Sequence, residues 1–161
     1  MNRRAFSRIT ASFAALALTN YGARAEEAKM VFEITKTDED WMKILSPEQF
    51  AVLRKEDTER PFTSALLDEK RKGTFNCGGC ALPLFASETK YDSGTGWPSF
   101  YDFIPKAIGT KEDNTLFATR VEVHCARCGG HQGHVFEDGP QPTGLRYCIN
   151  GLALTFAPVQ A

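Results

Sequence analysis

Two short cysteine pairs, Cys77-Gly78-Gly79-Cys80 and Cys125-Ala126-Arg127-Cys128, constrain this chain more than any other feature. Four thiolates presented by two such knuckles complete a tetrahedral zinc shell and leave no coordination position open. Forty-four residues lie between Cys80 and Cys125, more than the ~15–20 of a compact zinc ribbon. A shared ion would therefore join two hairpins distant in sequence. The competing reading is a pair of disulfides, which suits an oxidising compartment, although bridges of this spacing tend to be reducible redox devices.

The fifth cysteine, Cys148, is left over once the others are paired. Most free cysteines are small buried hydrophobes. Here, however, the run Arg146-Tyr147-Cys148-Ile149-Asn150 reads as extended, which puts Arg146, Cys148 and Asn150 on one face. A cation beside the thiol is expected to lower its pKa and raise the reactive thiolate fraction, so Cys148 is the candidate nucleophile. His131 and His134 form an H-x-x-H pair with no carboxylate or third imidazole at metal-ligand spacing, so proton handling suits them better than metal binding.

Ser46-Pro47-Glu48-Gln49 carries the signals of a helix start, a serine cap, a first-turn proline and a glutamine that closes a capping box, and predicts a helix from Pro47 to about Lys55. Beyond Pro61 the helix signals thin out. Phe117, Thr119, Val121 and Val123 alternate with Ala118, Arg120, Glu122 and His124 as in a half-buried strand whose outer face carries the polar set, and Leu152, Leu154 and Phe156 repeat the pattern. The expected fold is mainly antiparallel β, with short helices on the N-terminal side and glycine-bearing loops that hold the reactive residues. In one of these loops glycines flank Trp97, which points to a pocket-lining aromatic, whereas Trp41 is expected in the core.

Residues 1–25 contain four arginines and no acid, an apolar stretch from Ile9 to Leu18 and the small-x-small triplet Ala23-Arg24-Ala25, the form of a cleaved export signal. Arg3-Arg4-Ala5-Phe6 has the look of a twin-arginine address, and the apolar block is too short for a membrane anchor. Periplasmic export is the expectation, with a mitochondrial presequence as the alternative. Removal of this segment takes the net charge from −1 to −5, fifteen basic against twenty acidic residues. Such a balance disfavours a nucleic-acid partner. The expected organisation is a signal over 1–25, a polar lead-in over 26–44 and one domain over 45–158, acting as a monomer.

Five blocks in order, Cys77-Gly78-Gly79-Cys80, Asp92-Ser93-Gly94-Thr95-Gly96-Trp97-Pro98-Ser99-Phe100, Cys125-Ala126-Arg127-Cys128, His131-Gln132-Gly133-His134-Val135-Phe136 and Arg146-Tyr147-Cys148-Ile149-Asn150, closely resemble the B-type methionine sulfoxide reductases, which reduce the R epimer of methionine sulfoxide. The resemblance implies two antiparallel sheets, one structural zinc on the four knuckle cysteines and Cys148 as nucleophile. It further implies His131, His134 and Asn150 as catalytic donors, Trp97 and Phe136 as substrate contacts, and Asp138 and Arg146 as residues that set charge and orientation around the thiol. Many members carry a resolving cysteine where this chain has Thr95. The sulfenic acid left on Cys148 would then need an external thiol, supplied by a thioredoxin-like protein, a glutaredoxin or a small molecule. Protein-bound methionine sulfoxide is the expected substrate, with the free amino acid left open. Gly130 and Gln132 replace the more usual alanine and leucine and are expected to alter the pocket wall.

Overall fold

The computed structural model describes residues 30–115 and 118–160, so the export signal read at residues 1–25 and the strand position read at Phe117 lie outside the described residues. Residues from Val31 onward form one compact unit. Two helices are found among the described residues, α1 (Asp38–Met42) and α2 (Pro47–Lys55). The second has the bounds that its sequence signals predict. Ser46 Oγ accepts the Gln49 N–H and the Gln49 side chain accepts the Ser46 N–H, which satisfies two backbone donors that the first turn would otherwise leave open. The helix ends at Glu56, whose left-handed backbone (φ 59) halts the α geometry.

Nine strands follow among the described residues: β1 (Gly73–Cys77), β2 (Pro83–Ala86), β3 (Lys90–Tyr91), β4 (Ser99–Phe100), β5 (Ile108–Asp113), β6 (Arg120–Cys125), β7 (His131–Phe136), β8 (Arg146–Ile149) and β9 (Leu154–Pro158). They build two antiparallel sheets, ordered β2-β1-β9 and β3-β4-β8-β7-β6-β5. Aromatic side chains bind one sheet to the other. Phe85 of the small sheet stacks on Phe100 of the large one at 4.3 Å between ring centroids, and Phe75 meets Phe100 edge-on at 5.0 Å. All three are fully buried, and truncating a ring in such a place costs about 3–5 kcal/mol.

The strand read around Val121 exists, but its faces are not as the alternation predicts. Val121 is 39% exposed, while Glu122 and His124 retain only 2% and 4%. The register slips between Val123 and His124, where β7 carries Gln132 as an extra residue. The outer face is also covered. Phe32 packs edge-on against His124 at 5.6 Å, and α2 lies against β7. Residues 31–44, read as a lead-in, thus contribute to the packing, with Trp41 buried as expected. Leu152 departs from the alternation as well, because Gly151–Ala153 is a 3-10 turn and the last strand begins only at Leu154.

Candidate active site

Strand β8 sets the centre of the site. Cys148 pairs with Ser99 of β4 on one side and with His134 of β7 on the other, so the thiol sits between two polar neighbours in the middle of the large sheet. Close approach is possible because residue 133 is glycine. A Cβ there would run into the carbonyl oxygen of Cys148. Cys148, His134, Trp97, Phe136 and Asn150 line one cavity of about 110 Å³ together with Thr58, Arg120 and Gly133. That space is of side-chain size.

Each wall has its own support. Trp97 donates its indole N–H to the Glu59 carbonyl at 3.0 Å. Asn150 accepts the Glu59 N–H at 3.0 Å and donates to the Gln132 carbonyl at 3.1 Å, which fixes the orientation of its amide and leaves one N–H unspent. The Glu59 carboxylate, itself buried, accepts the N–H groups of Gly151 and Leu152 just beyond Asn150. Burial pushes its pKa up, against the pull of those two donors. Glu59 therefore ties the tryptophan loop to the end of β8.

His134 faces the cavity and puts Nε2 2.8 Å from Asp113 Oδ2, an oxygen that also receives Arg120 at 2.6 Å. Burial lowers the His134 pKa, so the ring is neutral at pH 7. With Nε2–H donated to the carboxylate, Nδ1 is the free lone pair. His131 is placed differently. It does not line the cavity but lies buried behind His134, rings 5.5 Å apart, with Nδ1 2.7 Å from Glu122. Burial would raise Glu122, yet hydrogen bonds from His124 and His131 override it and hold the carboxyl at about 2.

Asp138 grips Arg146 through two bonds of 2.8 Å, and the guanidinium lies 4.4 Å over the ring of Phe136, its partner across β7 and β8. The expected lowering of the Cys148 pKa is not the net result. Burial pushes the thiol up, and the pull of Thr95 and of Arg146 does not overcome it. At rest Cys148 is a thiol. Neither Gly130 nor Gln132 lines the cavity, contrary to expectation, and Gln132 is fully buried and directs Nε2 toward Cys77 Sγ at 3.6 Å.

The four knuckle sulfurs all lie within 4.8 Å of one another, with Cys77 to Cys128 at 3.7 Å and Cys80 to Cys125 at 3.5 Å. A tetrahedral ion with Zn–S bonds of ~2.3 Å spaces its sulfurs by about 3.8 Å. The donor set fits that geometry. All five cysteines are free, and the alternative of one disulfide within each knuckle has no counterpart here. Hydrogen bonds among the crowded sulfurs push the Cys77 thiol far up and draw that of Cys125 down.

Asp113, Glu122, Glu59, Arg120 and Thr58 were not found from the sequence. Alternation puts Glu122 and Arg120 on an outward face, and the other three carry no local motif; the Asp113–His134 and Glu59–Gly151 pairs span 21 and 92 residues.

The SelR domain model matches residues 45–158. A peptide methionine sulfoxide reductase MsrB from Methanosarcina mazei is 55% identical over 125 residues, 77% of this chain and 89% of that protein. Proteins of the same name from Leptospira interrogans and Agrobacterium fabrum are 52% and 50% identical over 128 residues, 79% of this chain in both cases and 98% and 95% of their own lengths. A side-chain-sized cavity with a thiol at its floor agrees with those names, and the chain belongs to the MsrB family of methionine sulfoxide reductases.

Proposed function

We propose that the protein reduces the R epimer of methionine sulfoxide in oxidised proteins and peptides, with Cys148 as nucleophile and an external thiol as reductant. The observation that carries this reading is the single small cavity in which Cys148, the aromatic rings of Trp97 and Phe136 and the Asp113-supported His134 converge. Methionine sulfoxide presents an apolar methyl group and a strongly accepting oxygen on one sulfur. The rings hold the methyl, and the remaining N–H of Asn150 and the guanidinium of Arg120 face the oxygen. A site that can seat only one of the two arrangements around sulfur selects one epimer.

Neutral His134 takes the Cys148 proton at Nδ1 and passes it toward the sulfoxide oxygen as that oxygen gains basicity. The thiolate attacks the substrate sulfur. In the net step the sulfur–oxygen bond of the substrate is lost, Cys148 becomes a sulfenic acid, and methionine leaves reduced by two electrons. A first thiol then attacks the sulfenic sulfur and releases water. A second thiol breaks the mixed disulfide and restores Cys148.

Zinc on Cys77, Cys80, Cys125 and Cys128 is structural in this reading, because four thiolates leave no position for substrate. Bound there, it supplies charge compensation for the thiolates and a crosslink between the β1 and β6 ends. The protein acts after export, with residues 1–25 as a twin-arginine signal.

The test offers a peptide carrying both epimers. Only the R epimer should disappear, one equivalent per protein without reductant and many with a dithiol. Consumption of the S epimer, or full activity of Cys148→Ser, would overturn the reading.

A further inference from the structure

The loop that carries Trp97 brings three hydroxyls into a chain that ends on the reactive sulfur. Thr95 Oγ1 lies 3.8 Å from Cys148 Sγ, Ser93 Oγ lies 2.9 Å from Thr95 Oγ1, and Ser99 Oγ lies 2.7 Å from Ser93 Oγ. The far end closes on a backbone acceptor, since Ser99 Oγ is 3.3 Å from the carbonyl of Trp97. Ser99 is fully buried and faces Cys148 across β4 and β8, so that end is fixed by the sheet. The loop itself is pinned. Asp92 accepts the Gly94 N–H, the Gly96 carbonyl accepts the Phe62 N–H, and Gly96 adopts φ 92 where a side chain would strike Pro61 and Phe62.

A hydroxyl has one proton to give and two lone pairs, and its proton turns to suit its neighbours. The three hydroxyls therefore have two orders. In the first the Cys148 thiol donates to Thr95, Thr95 to Ser93, Ser93 to Ser99, and Ser99 to the Trp97 carbonyl. In the second Ser99 donates to Ser93, Ser93 to Thr95 and Thr95 to the sulfur, and the Trp97 carbonyl gives up its bond from Ser99. Only three hydroxyl rotations separate them.

We propose that Ser93, Thr95 and Ser99 form a reversible hydroxyl relay, in which Thr95 accepts from Cys148 when it is a thiol and donates to its sulfur when it is a thiolate. The inference rests on Cys148 as nucleophile and adds Thr95 as a catalytic residue, with Ser93 and Ser99 as positioning residues. No proton travels along the chain. The S–H bond breaks with its proton taken by neutral His134, giving thiolate and imidazolium, and the hydroxyls turn to meet the new charge. Thr95 thus has a task of its own.

Several charged or titratable groups bear on Cys148: Arg146 on its own strand, Tyr91 on β3, His134 on β7 and Arg120 on β6 across the cavity, with Asp138 and Asp113 behind the two arginines. None of them changes when Thr95 loses its hydroxyl. The test is the pH profile of Cys148 alkylation by iodoacetamide in the full chain, read on the Cys148 peptide by mass spectrometry. Thr95→Val should react about tenfold more slowly than wild type at pH 7 and reach the same plateau at high pH, because a donor to the thiolate is lost and access is not. Thr95→Ser should stay within about twofold of wild type, and Ser93→Ala should fall between, since Thr95 can still donate without its orienting partner. A Thr95→Val profile that superimposes on wild type, or one lowered equally at every pH, overturns the relay. Should Thr95→Val fail to fold, an unshifted Ser93→Ala profile overturns it and an intermediate shift supports it. Alkylation requires no sulfoxide, so a lack of R-epimer reduction would defeat the proposed function without touching this result.

Discussion

Asp113 Oδ2 lies 2.8 Å from Nε2 of His134, twenty-one residues further along the chain, and makes the imidazole a base with its free lone pair on Nδ1. Two bonds from Thr115 and the contacts with His134 and Arg120 hold the Asp113 carboxyl well below the usual range, so the partner stays anionic throughout the working pH range.

Asp113→Asn should lower kcat by about tenfold or more. The carboxylate also raises the His134 pKa against the downward pull of burial, so its loss should move the acid limb of the pH–rate profile to lower pH. A pH–rate profile of the variant decides it. An unmoved limb would show that His134 is not the titrating group. The same residues set a stability trend. The unfolded chain protonates His134 near its ordinary 6.5 while the folded chain resists, and Asp113 is ionised more readily when folded, so both contributions are present at neutral pH and are lost as the pH falls, first below about 6.5 and then below about 4.

Cys125→Ser should damage folding before it damages chemistry. None of the four sulfurs lines the cavity, and a structural zinc contributes on the order of 10 kcal/mol to small zinc-dependent folds. Metal content and thermal melting are the measurements. A variant with native melting temperature and one zinc per chain would remove the knuckles from the account of stability.

What was legible in the sequence was local. The capping box at Ser46 and Gln49 names a helix without help from the rest of the chain, and the period-two run from Arg146 places Cys148 on a strand face. Glu122 was not legible, because its burial depends on Phe32 and α2 covering the outer face, which alternation does not encode. The Glu59 carboxylate, which caps Gly151 from ninety-two residues away, and Asp113, which finds His134 only when β5, β6 and β7 align, are products of topology. The balance at Cys148 fails for a related reason. A neighbouring arginine can be read from a strand, but the burial that outweighs it cannot.

Export is predicted to depend on the paired arginines of the first segment. Arg3→Lys combined with Arg4→Lys should leave an uncleaved precursor inside the cell, because the twin-arginine receptor reads that pair as an address and not as charge. Cell fractionation with precursor and mature forms resolved by mass is the check. Normal periplasmic delivery of the double variant would assign the segment to another route.

Thr95→Cys should let Cys148 close a disulfide with residue 95. Threonine oxygen stands 3.8 Å from Cys148 sulfur. A disulfide of ~2.05 Å therefore asks for a closure of about 1.8 Å, part of which the longer carbon–sulfur bond of cysteine supplies. After one turnover without reductant the variant should carry a bond between residues 95 and 148 and no sulfenic acid. Wild type should instead release about one methionine per protein and hold a Cys148 sulfenic acid open to trapping reagents, since four of its five thiols are gathered at the knuckles and Thr95 has none to offer. Mass spectrometry of both oxidised proteins separates the outcomes. A wild-type disulfide between Cys148 and a knuckle cysteine, accompanied by loss of zinc, would mean that the metal site supplies the resolving thiol and that recycling begins inside the chain.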